Sequence, residues 1–336
     1  MTGNIAARAS RPSRAERDAD FRRLVDETKD RHNISDVAAL DRKVRRTGKP
    51  GEFVALCAFH AERSPSMRLN DLKGAYYCFG CGATGDIVRY VALTRGLGFL
   101  DALRWLGATD LPEVDHAARA SAAAEDAAQR AAAIAEAGVM WERCVPASGT
   151  PAEAYLRGRG IAMPLPASLR FGAVYAWRNE ETGEVGPDLP ALVGAVVNGA
   201  GELTGVQRIF IKPDGTGKAK MRKPKKSLGR VRGSALRLGP VAPELILCEG
   251  PEDGLSLAQE MPGHSVWVAL GTAMMPELGL PPEVRAVVIA GQNDAPGQHA
   301  VRNAAEALSA RGLSVRTMFP DPRFKDWNDQ LRGVEL

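Results

Sequence analysis

A chain of 336 residues with 45% hydrophobic content is long enough for two or three domains with real cores. Its net charge of +4 is mildly basic, but the lysines and arginines are unevenly spread. No transmembrane helix, signal peptide or secreted disulfide framework is expected: no apolar run approaches roughly 18 residues, residues 1–20 are polar, and the five cysteines are an odd set, so a cytoplasmic location is the default.

Residues 1–15 read as disordered. Residues 16–29 predict a short amphipathic helix with Phe21 and Leu24 on one face. Residues 33–37 look like a helix start, with Ser35 as the candidate cap. Arg42, Lys43, Arg45, Arg46 and Lys49 then form a basic cluster, either a solvated face or a set of phosphate contacts.

Cys57-x-x-His60 and Cys78-x-x-Cys81 are two metal half-sites separated by 17 residues. Each half can chelate one tetrahedral ion, and three thiolates with one imidazole suit structural Zn²⁺ and leave no open coordination position. Residues 64–69 and 75–79 predict strands around this knuckle. The unit resembles the zinc ribbon at the N-terminus of DnaG-type primases, which carry a Cys-x-x-His, a Thr/Ser-Pro-Ser and a Cys-Phe-Gly-Cys-Gly. Here these are Cys57 to His60, Ser64-Pro65-Ser66 and Cys78-Phe79-Gly80-Cys81-Gly82, and the match continues into Gly85-Asp86-Ile87-Val88. In that family the ribbon engages single-stranded template. The resemblance therefore implies Arg63, Arg68 and Lys73 facing phosphates, and Tyr76 or Phe79 stacking on bases. Packing of Tyr76 and Phe79 in the core is the alternative.

Helices are predicted over 86–94 and 99–106, with Ile87, Tyr90, Val91 and Leu93 forming an apolar stripe. Residues 117–137 are almost all Ala, Glu, Asp, Arg and Gln, which predicts a helical spacer with little capacity for burial. A helix ending near Gly160 should follow, then a strand from Leu169. A β-hairpin of 191–197 and 203–211 should turn at 198–202. From 215 to 243 there are nine Lys or Arg and no Asp or Glu, which points to polyphosphate or nucleic-acid backbone. Lys223, Lys225, Lys226, Arg230 and Arg232 are the candidate contacts, with Lys225 and Lys226 foremost for template or incoming triphosphate. Gly217-Lys218 superficially suggests a P-loop, but position 212 is lysine and 219 is alanine, so no motor is encoded there.

Three short stretches organise the remainder. The apolar run 245–248 ends in Glu249-Gly250, the run 287–290 ends in Gly291-Gln292-Asn293-Asp294-Ala295-Pro296-Gly297, and an acidic knot, Asp326-Trp327-Asn328-Asp329, follows. Such runs separated by helical stretches read as parallel strands of an α/β sheet, whose carboxyl ends collect functional groups. Clustered carboxylates call for a hard cation, usually Mg²⁺. This stretch resembles a Toprim domain, the metal-binding catalytic fold of DnaG-type primases, topoisomerases and some nucleases. Glu249-Gly250 fits its first motif, Asp294 and Gly297 its Asp-x-Asp-x-x-Gly, and Asp253 a further acid often seen in primases. The last motif looks like that of phage and mobile-element primases. Gln292 departs from the pattern, standing where the first Asp of the second motif belongs.

The expected architecture is thus α/β, with a β-rich zinc ribbon joined by a helical linker to a Toprim catalytic domain. Expected divisions are 1–50 (basic segment), 51–110 (ribbon), 111–140 (linker), 141–240 (α/β subdomain with the basic segment) and 241–336 (Toprim). The resemblance implies template-directed nucleotidyl transfer, with Mg²⁺ or Mn²⁺ held by Glu249, Asp294, Asp326 and Asp329, and Asp253 assisting. Implied partners are single-stranded DNA, NTP or dNTP, and a separate replicative helicase. Two other readings use the same features: a Toprim nuclease, and a single-stranded-DNA-binding replication accessory whose active site is weakened by Gln292.

Overall fold

The computed structural model describes residues 14–107, 115–179 and 182–336. Of the 1–15 stretch expected to be disordered, 1–13 lie outside these and 14–15 begin a helix instead; the expected division near 110 also lies outside. The chain divides into two compact units, residues 1–128 and 129–336.

The first unit opens with helices α1 (Arg14–Arg31) and α2 (Ile34–Ala39). An antiparallel five-stranded sheet follows: β1 (Arg45–Arg46), β2 (Glu52–Ala55), β3 (Met67–Asn70), β4 (Ala75–Cys78) and β5 (Thr84–Asp86), ordered as in the sequence. Helices α3 (Ile87–Arg95) and α4 (Phe99–Gly107) close the unit. Period-two alternation sends Met67, Leu69, Tyr76 and Cys78 into a core shared with Ile34, Val37, Ile87, Tyr90 and Leu106. Asp86 caps α3 by accepting the Arg89 N–H, and Gly96 ends it in the left-handed conformation.

Three local expectations change. On α1 the buried residue is Val25, while Phe21 and Leu24 are exposed, because only one narrow stripe of a polar helix meets the core. The cap of α2 is Asn33, and Ser35 lies inside the helix, where its N–H and hydroxyl both donate to buried Asp71. Leu93 is exposed and is not part of the α3 core face.

Helix α5 (His116–Arg143) is continuous. Near its start Arg119 donates to the Asp71 carbonyl, whereas Ala137 and Met140 near its end are buried against the second unit's sheet. That sheet has ten strands. After β6 (Val145–Pro146) and helix α6 (Pro151–Gly158) come the antiparallel strands β7 (Leu169–Tyr175), β8 (Asp188–Val197), β9 (Leu203–Phe210) and β10 (Lys225–Gly229). Short β11 (Ala235–Arg237) pairs antiparallel with both β8 and β13, so residues 141–240 share one continuous sheet with the parallel part. The parallel strands are β12 (Glu244–Cys248), β13 (Ser265–Val268), β14 (Ala286–Ala290) and β15 (Ser314–Met318), laid side by side as β13-β12-β14-β15.

Helix α7 (Pro251–Glu260) connects β12 to β13, and a 3₁₀ turn (Thr272–Glu277) lies between β13 and β14. Helix α8 (Ala295–Ala310) connects β14 to β15, and α9 (Trp327–Arg332) ends the unit. Both faces of the parallel strands are covered. Ile246 and Cys248 pack with Leu255 and Leu257 of α7, while Leu245 and Leu247 pack with Val301, Ala304 and Leu308 of α8. This explains the unbroken apolar run of β12. Gly254 lets α7 approach the sheet, since a Cβ there would lie 2.6 Å from Val268 Cγ2. The chain leaves β12 toward β13 on one side and returns to β14 on the other, which opens a crevice at the carboxyl ends of these strands.

Candidate metal centre and catalytic cleft

In the first unit the loop after β2 carries Cys57 and His60, while Cys78 ends β4 and Cys81 lies in the knuckle that follows it. One ligand atom from each lies within 4.8 Å of all the others, and among the described residues no other such group of three or more His, Cys, Asp or Glu occurs. Sγ of Cys57 and Cys81 are 3.8 Å apart, and Cys78 Sγ lies 3.7 Å from His60 Nδ1. Tetrahedral zinc with Zn–S bonds of about 2.3 Å requires sulfurs about 3.8 Å apart, so the donor set fits Zn²⁺ in both chemistry and size. The cage is supported by N–H donors to sulfur, from Phe59 to Cys57 at 3.3 Å and from Gly80 to Cys78 at 3.3 Å. Burial would raise the Cys78 thiol, but the Ser66 hydroxyl and the N–H groups of Cys81 and Gly80 outweigh it and bring the thiol to about 7. Gly80 is required by close approach, because a Cβ there would stand 2.6 Å from His60 Nε2.

Glu62, not anticipated from the sequence, completes the cage. Its Oε1 accepts the N–H groups of Cys57 at 2.6 Å and Ser66 at 3.1 Å, and its Oε2 faces His60 Nε2 at 3.3 Å. This carboxylate–histidine pair leaves Nδ1 to the metal.

Tyr76 cannot stack on bases. It is 2% exposed and packs against Phe59 and Tyr90 at 5.4 and 5.5 Å, because its place in the β4 alternation faces the core. The neighbouring position faces outward. Register aligns Arg45, Val54, Arg68, Tyr77 and Thr84 across the five strands on the opposite face. Phe79, 72% exposed, meets Tyr77 edge-on at 4.9 Å. Arg63 and Lys73 are exposed, and Arg68 is half-buried.

The second unit holds a cleft of about 320 Å³ at the carboxyl ends of β12 and β14. Glu249, Glu252, Asp253 and Asp326 contribute acidic groups to its wall, and Arg159, Lys218, Lys225 and Lys226 contribute basic ones. Glu249 follows β12 directly. Burial raises its carboxyl above the ordinary range, Lys225 and Lys325 oppose the rise, and Asp294 adds to it. Asp253, 5% exposed in the first turn of α7, is pushed up to about 7 by burial and then by the charge of Asp326. Gln292 Nε2 donates to its Oδ2 at 2.8 Å, and the Asn328 N–H donates to its Oδ1 at 3.2 Å. The residue that departs from the family pattern therefore supplies an N–H to a carboxylate that a second carboxylate would repel.

Asp294 and Asp326 cap α8 and α9, accepting the N–H groups of Gly297 and Asp329, each at 2.8 Å. Asp294 does not line the cleft wall and stands 3.8 Å from Lys325 Nζ, while Asp329 stands 3.9 Å from Arg332. Of the expected divalent-metal ligands, the fold thus brings Glu249 and Asp326 into one cleft with Asp253, leaves Asp294 near Glu249, and turns Asp329 toward its own helix. Two pairs of mutually repelling carboxylates, Glu249 with Asp294 and Asp253 with Asp326, fit the donor chemistry of a hard divalent cation.

The basic run divides. Lys225 and Lys226 line the cleft, the latter donating to the Ala176 carbonyl at 2.8 Å. Lys223 and Arg230 are exposed, and Arg232 pairs with Glu277. Arg237, also in the run, stacks 4.0 Å over Trp267 and is structural. Glu252, Arg159 and Asn328 were not singled out from the sequence as site residues. Asn328 is fully buried and bonds the Arg159 carbonyl at 2.9 Å and Ser256 Oγ at 3.0 Å, tying α9 to the helix that carries Asp253. Leu270, also on the cleft wall, has φ of 65°, a strained conformation for a non-glycine residue.

Comparison with known proteins places names on both parts. Residues 21–121 match the CHC2 zinc finger, residues 244–334 match the Toprim domain, and residues 130–238 match a domain of unknown function. The chain is 39% identical over 83 residues to the DNA primase of Lactococcus lactis, covering 25% of this chain and 13% of that protein. It is 46% identical over 63 residues to the DNA primase of Helicobacter pylori, covering 19% and 11%. The chain thus spans only a small part of the length of these relatives. Among solved structures, the zinc-binding and RNA polymerase domains of the Aquifex aeolicus primase align with a TM-score of 0.42 at 18% identity, over 92% of this chain and 82% of that one. Ribbon and Toprim domain together resemble DnaG-type primases.

Proposed function

We propose that the chain is a DNA primase, a metal-dependent nucleotidyltransferase that makes short primers on single-stranded DNA. The observation that carries this reading is the cleft in which Glu249, directly after β12, and Asp326, the cap of α9, face Lys218, Lys225 and Lys226 across about 320 Å³. Phosphoryl transfer needs these two components: acids to hold a divalent cation and cations to hold phosphate. Glu249, Asp326 and Asp294 would bind Mg²⁺ or Mn²⁺, with Asp329 supporting through the α9 cap. The ion supplies activation of the primer hydroxyl and neutralisation of the leaving pyrophosphate. Lys225 and Lys226 would meet the triphosphate or template strand, while exposed Lys223 and Arg230 extend the basic track, with Arg232 if it leaves Glu277. The ribbon's outer face, with Arg68, Tyr77 and Phe79 between Arg63 and Lys73, would take template by stacking and phosphate contacts. The 1–50 division, whose Ile34 and Val37 share the ribbon core, is proposed to act with 51–110 as template reader, and 111–140, 141–240 and 241–336 as spacer, basic platform and catalytic sheet. No helix among the described residues is long and apolar enough to cross a membrane. A cytoplasmic site of action beside a separate replicative helicase goes with this reading.

One observation favours a second reading. Gln292 is bonded to Asp253 and brings no charge to the metal site, as in a template-binding accessory with a weakened centre. The deciding experiment incubates the full chain with single-stranded templates, all four rNTPs or dNTPs, and Mg²⁺ or Mn²⁺. New oligonucleotides support the primase. Tight template binding without synthesis supports the accessory, and fragmentation of labelled template supports a nuclease.

A further inference from the structure

Glu252 is the most deeply placed charge in the cleft wall, at 4% exposure. Three separate segments converge on its carboxylate. The Tyr155 hydroxyl of α6 donates to Oε1 at 2.9 Å, Lys218 Nζ approaches Oε1 at 2.8 Å, and Lys225 Nζ of β10 approaches Oε2 at 2.7 Å. The lysines are not buried with it: their side chains are 33% and 40% exposed, and both line the cleft. An ammonium has three N–H donors, so each lysine keeps donors open to the cleft after satisfying Glu252. A lone surface lysine samples many rotamers, and pinning its head against a buried carboxylate removes that freedom before any ligand arrives. With two lysines on one carboxylate the group carries one net positive charge and presents two ammonium heads side by side. Glu249 and Asp326 line the same cleft.

We propose that Glu252 is a positioning residue that holds Lys218 and Lys225 as a paired receptor for a polyphosphate, the phosphate chain of an incoming nucleoside triphosphate. The assignment of that ligand rests on the primase reading, but the pairing itself is testable without catalysis. The probe is inorganic tripolyphosphate, titrated calorimetrically into the zinc-loaded full chain without other divalent cations.

Lys218→Ala and Lys225→Ala are each expected to weaken binding about tenfold, the usual effect of losing one charge-assisted contact. Glu252→Asp keeps the charge but is one methylene too short to bridge both lysines, and it too should weaken binding about tenfold. That loss should shrink when either lysine is already alanine, because the acid acts through them. A carboxylate that serves only to neutralise the wall predicts otherwise: Glu252→Asp binds like wild type, and Glu252→Gln binds more tightly. Either result overturns the proposal, as does a wild-type chain that binds no tripolyphosphate. Should Glu252→Gln fail to fold, Glu252→Asp, checked by its thermal melt, carries the test. A chain that makes no primers yet shows the Glu252→Asp loss keeps this inference and sinks the primase reading. One that makes primers with Glu252→Asp binding as wild type does the reverse.

Discussion

Replacing Glu62 by glutamine separates the two roles of this carboxylate. Both backbone bonds, from Cys57 at 2.6 Å and Ser66 at 3.1 Å, end on Oε1, which glutamine can reproduce. The contact with His60 Nε2 at 3.3 Å ends on Oε2, where glutamine places an NH₂ donor. With Nδ1 on the metal, Nε2 carries its proton, so two donors would face each other. The Ser66 hydroxyl foremost, then the backbone N–H groups of Cys57 and Ser66, hold the Glu62 carboxyl below the usual range, so the charge removed is present at neutral pH. Loss of such an outer carboxylate typically costs about 10- to 100-fold in metal affinity. Glu62→Ala also releases the Cys57 and Ser66 N–H groups and should lie beyond that range. The assay is competition for zinc between the full chain and a chromogenic chelator at fixed pH. Wild-type affinity in Glu62→Gln, or equal losses in the glutamine and alanine variants, would refute the reasoning.

Three further outcomes are expected. Tyr76→Ala should destabilise the first unit by about 3–5 kcal/mol in thermal unfolding, whereas Phe79→Ala should leave stability unchanged and weaken single-stranded DNA binding by about 1–3 kcal/mol; the opposite pattern would show that the wrong aromatic has been placed outside. In metal-free buffer Gln292→Asp removes the N–H bond to Asp253 and adds a like charge, lowering stability by about 1–3 kcal/mol. Added Mg²⁺ should restore it in urea unfolding, and failure to do so would argue against a cation site at these acids. For Glu252, burial would raise the carboxyl, but Lys225 and Lys218 outweigh it and hold the group at about 2 against an ordinary 4.5. Because the folded value is depressed, its stabilisation is full above the ordinary value and is lost as pH falls through about 2, on the order of 3 kcal/mol. Urea unfolding stepped from pH 5 to pH 2 should show this slope, and Glu252→Gln should lack it; an unchanged acid limb in that variant would sink the assignment.

The zinc cage was legible because its four ligands lie in two short local spacings, and the fold then closed them around a tetrahedral volume. Strands β12 and β14 were legible because burial on both faces leaves an uninterrupted apolar run. The aromatic face of the ribbon was only half legible. Tyr76, Tyr77 and Phe79 are close in sequence, and which of them points outward depends on strand phase, which pairing with β3 decides. Glu252 was not legible, since nothing local shows that Lys218, Lys225 and, 97 positions away, Tyr155 would meet it.

By itself the sequence determined the zinc donors, the two apolar runs that become β12 and β14, and the acids Glu249 and Asp326 of the cleft. These depend on chelate spacing and hydrophobic period, interactions among near neighbours. Only the tertiary structure decided that Gln292 serves Asp253 39 positions away, that Asn328 bonds Arg159 169 positions away, and that two lysines share one buried carboxylate. A charge withdrawn from water must find its partner wherever the fold brings one, and that partner is chosen by the packing of the sheet rather than by the residues beside it.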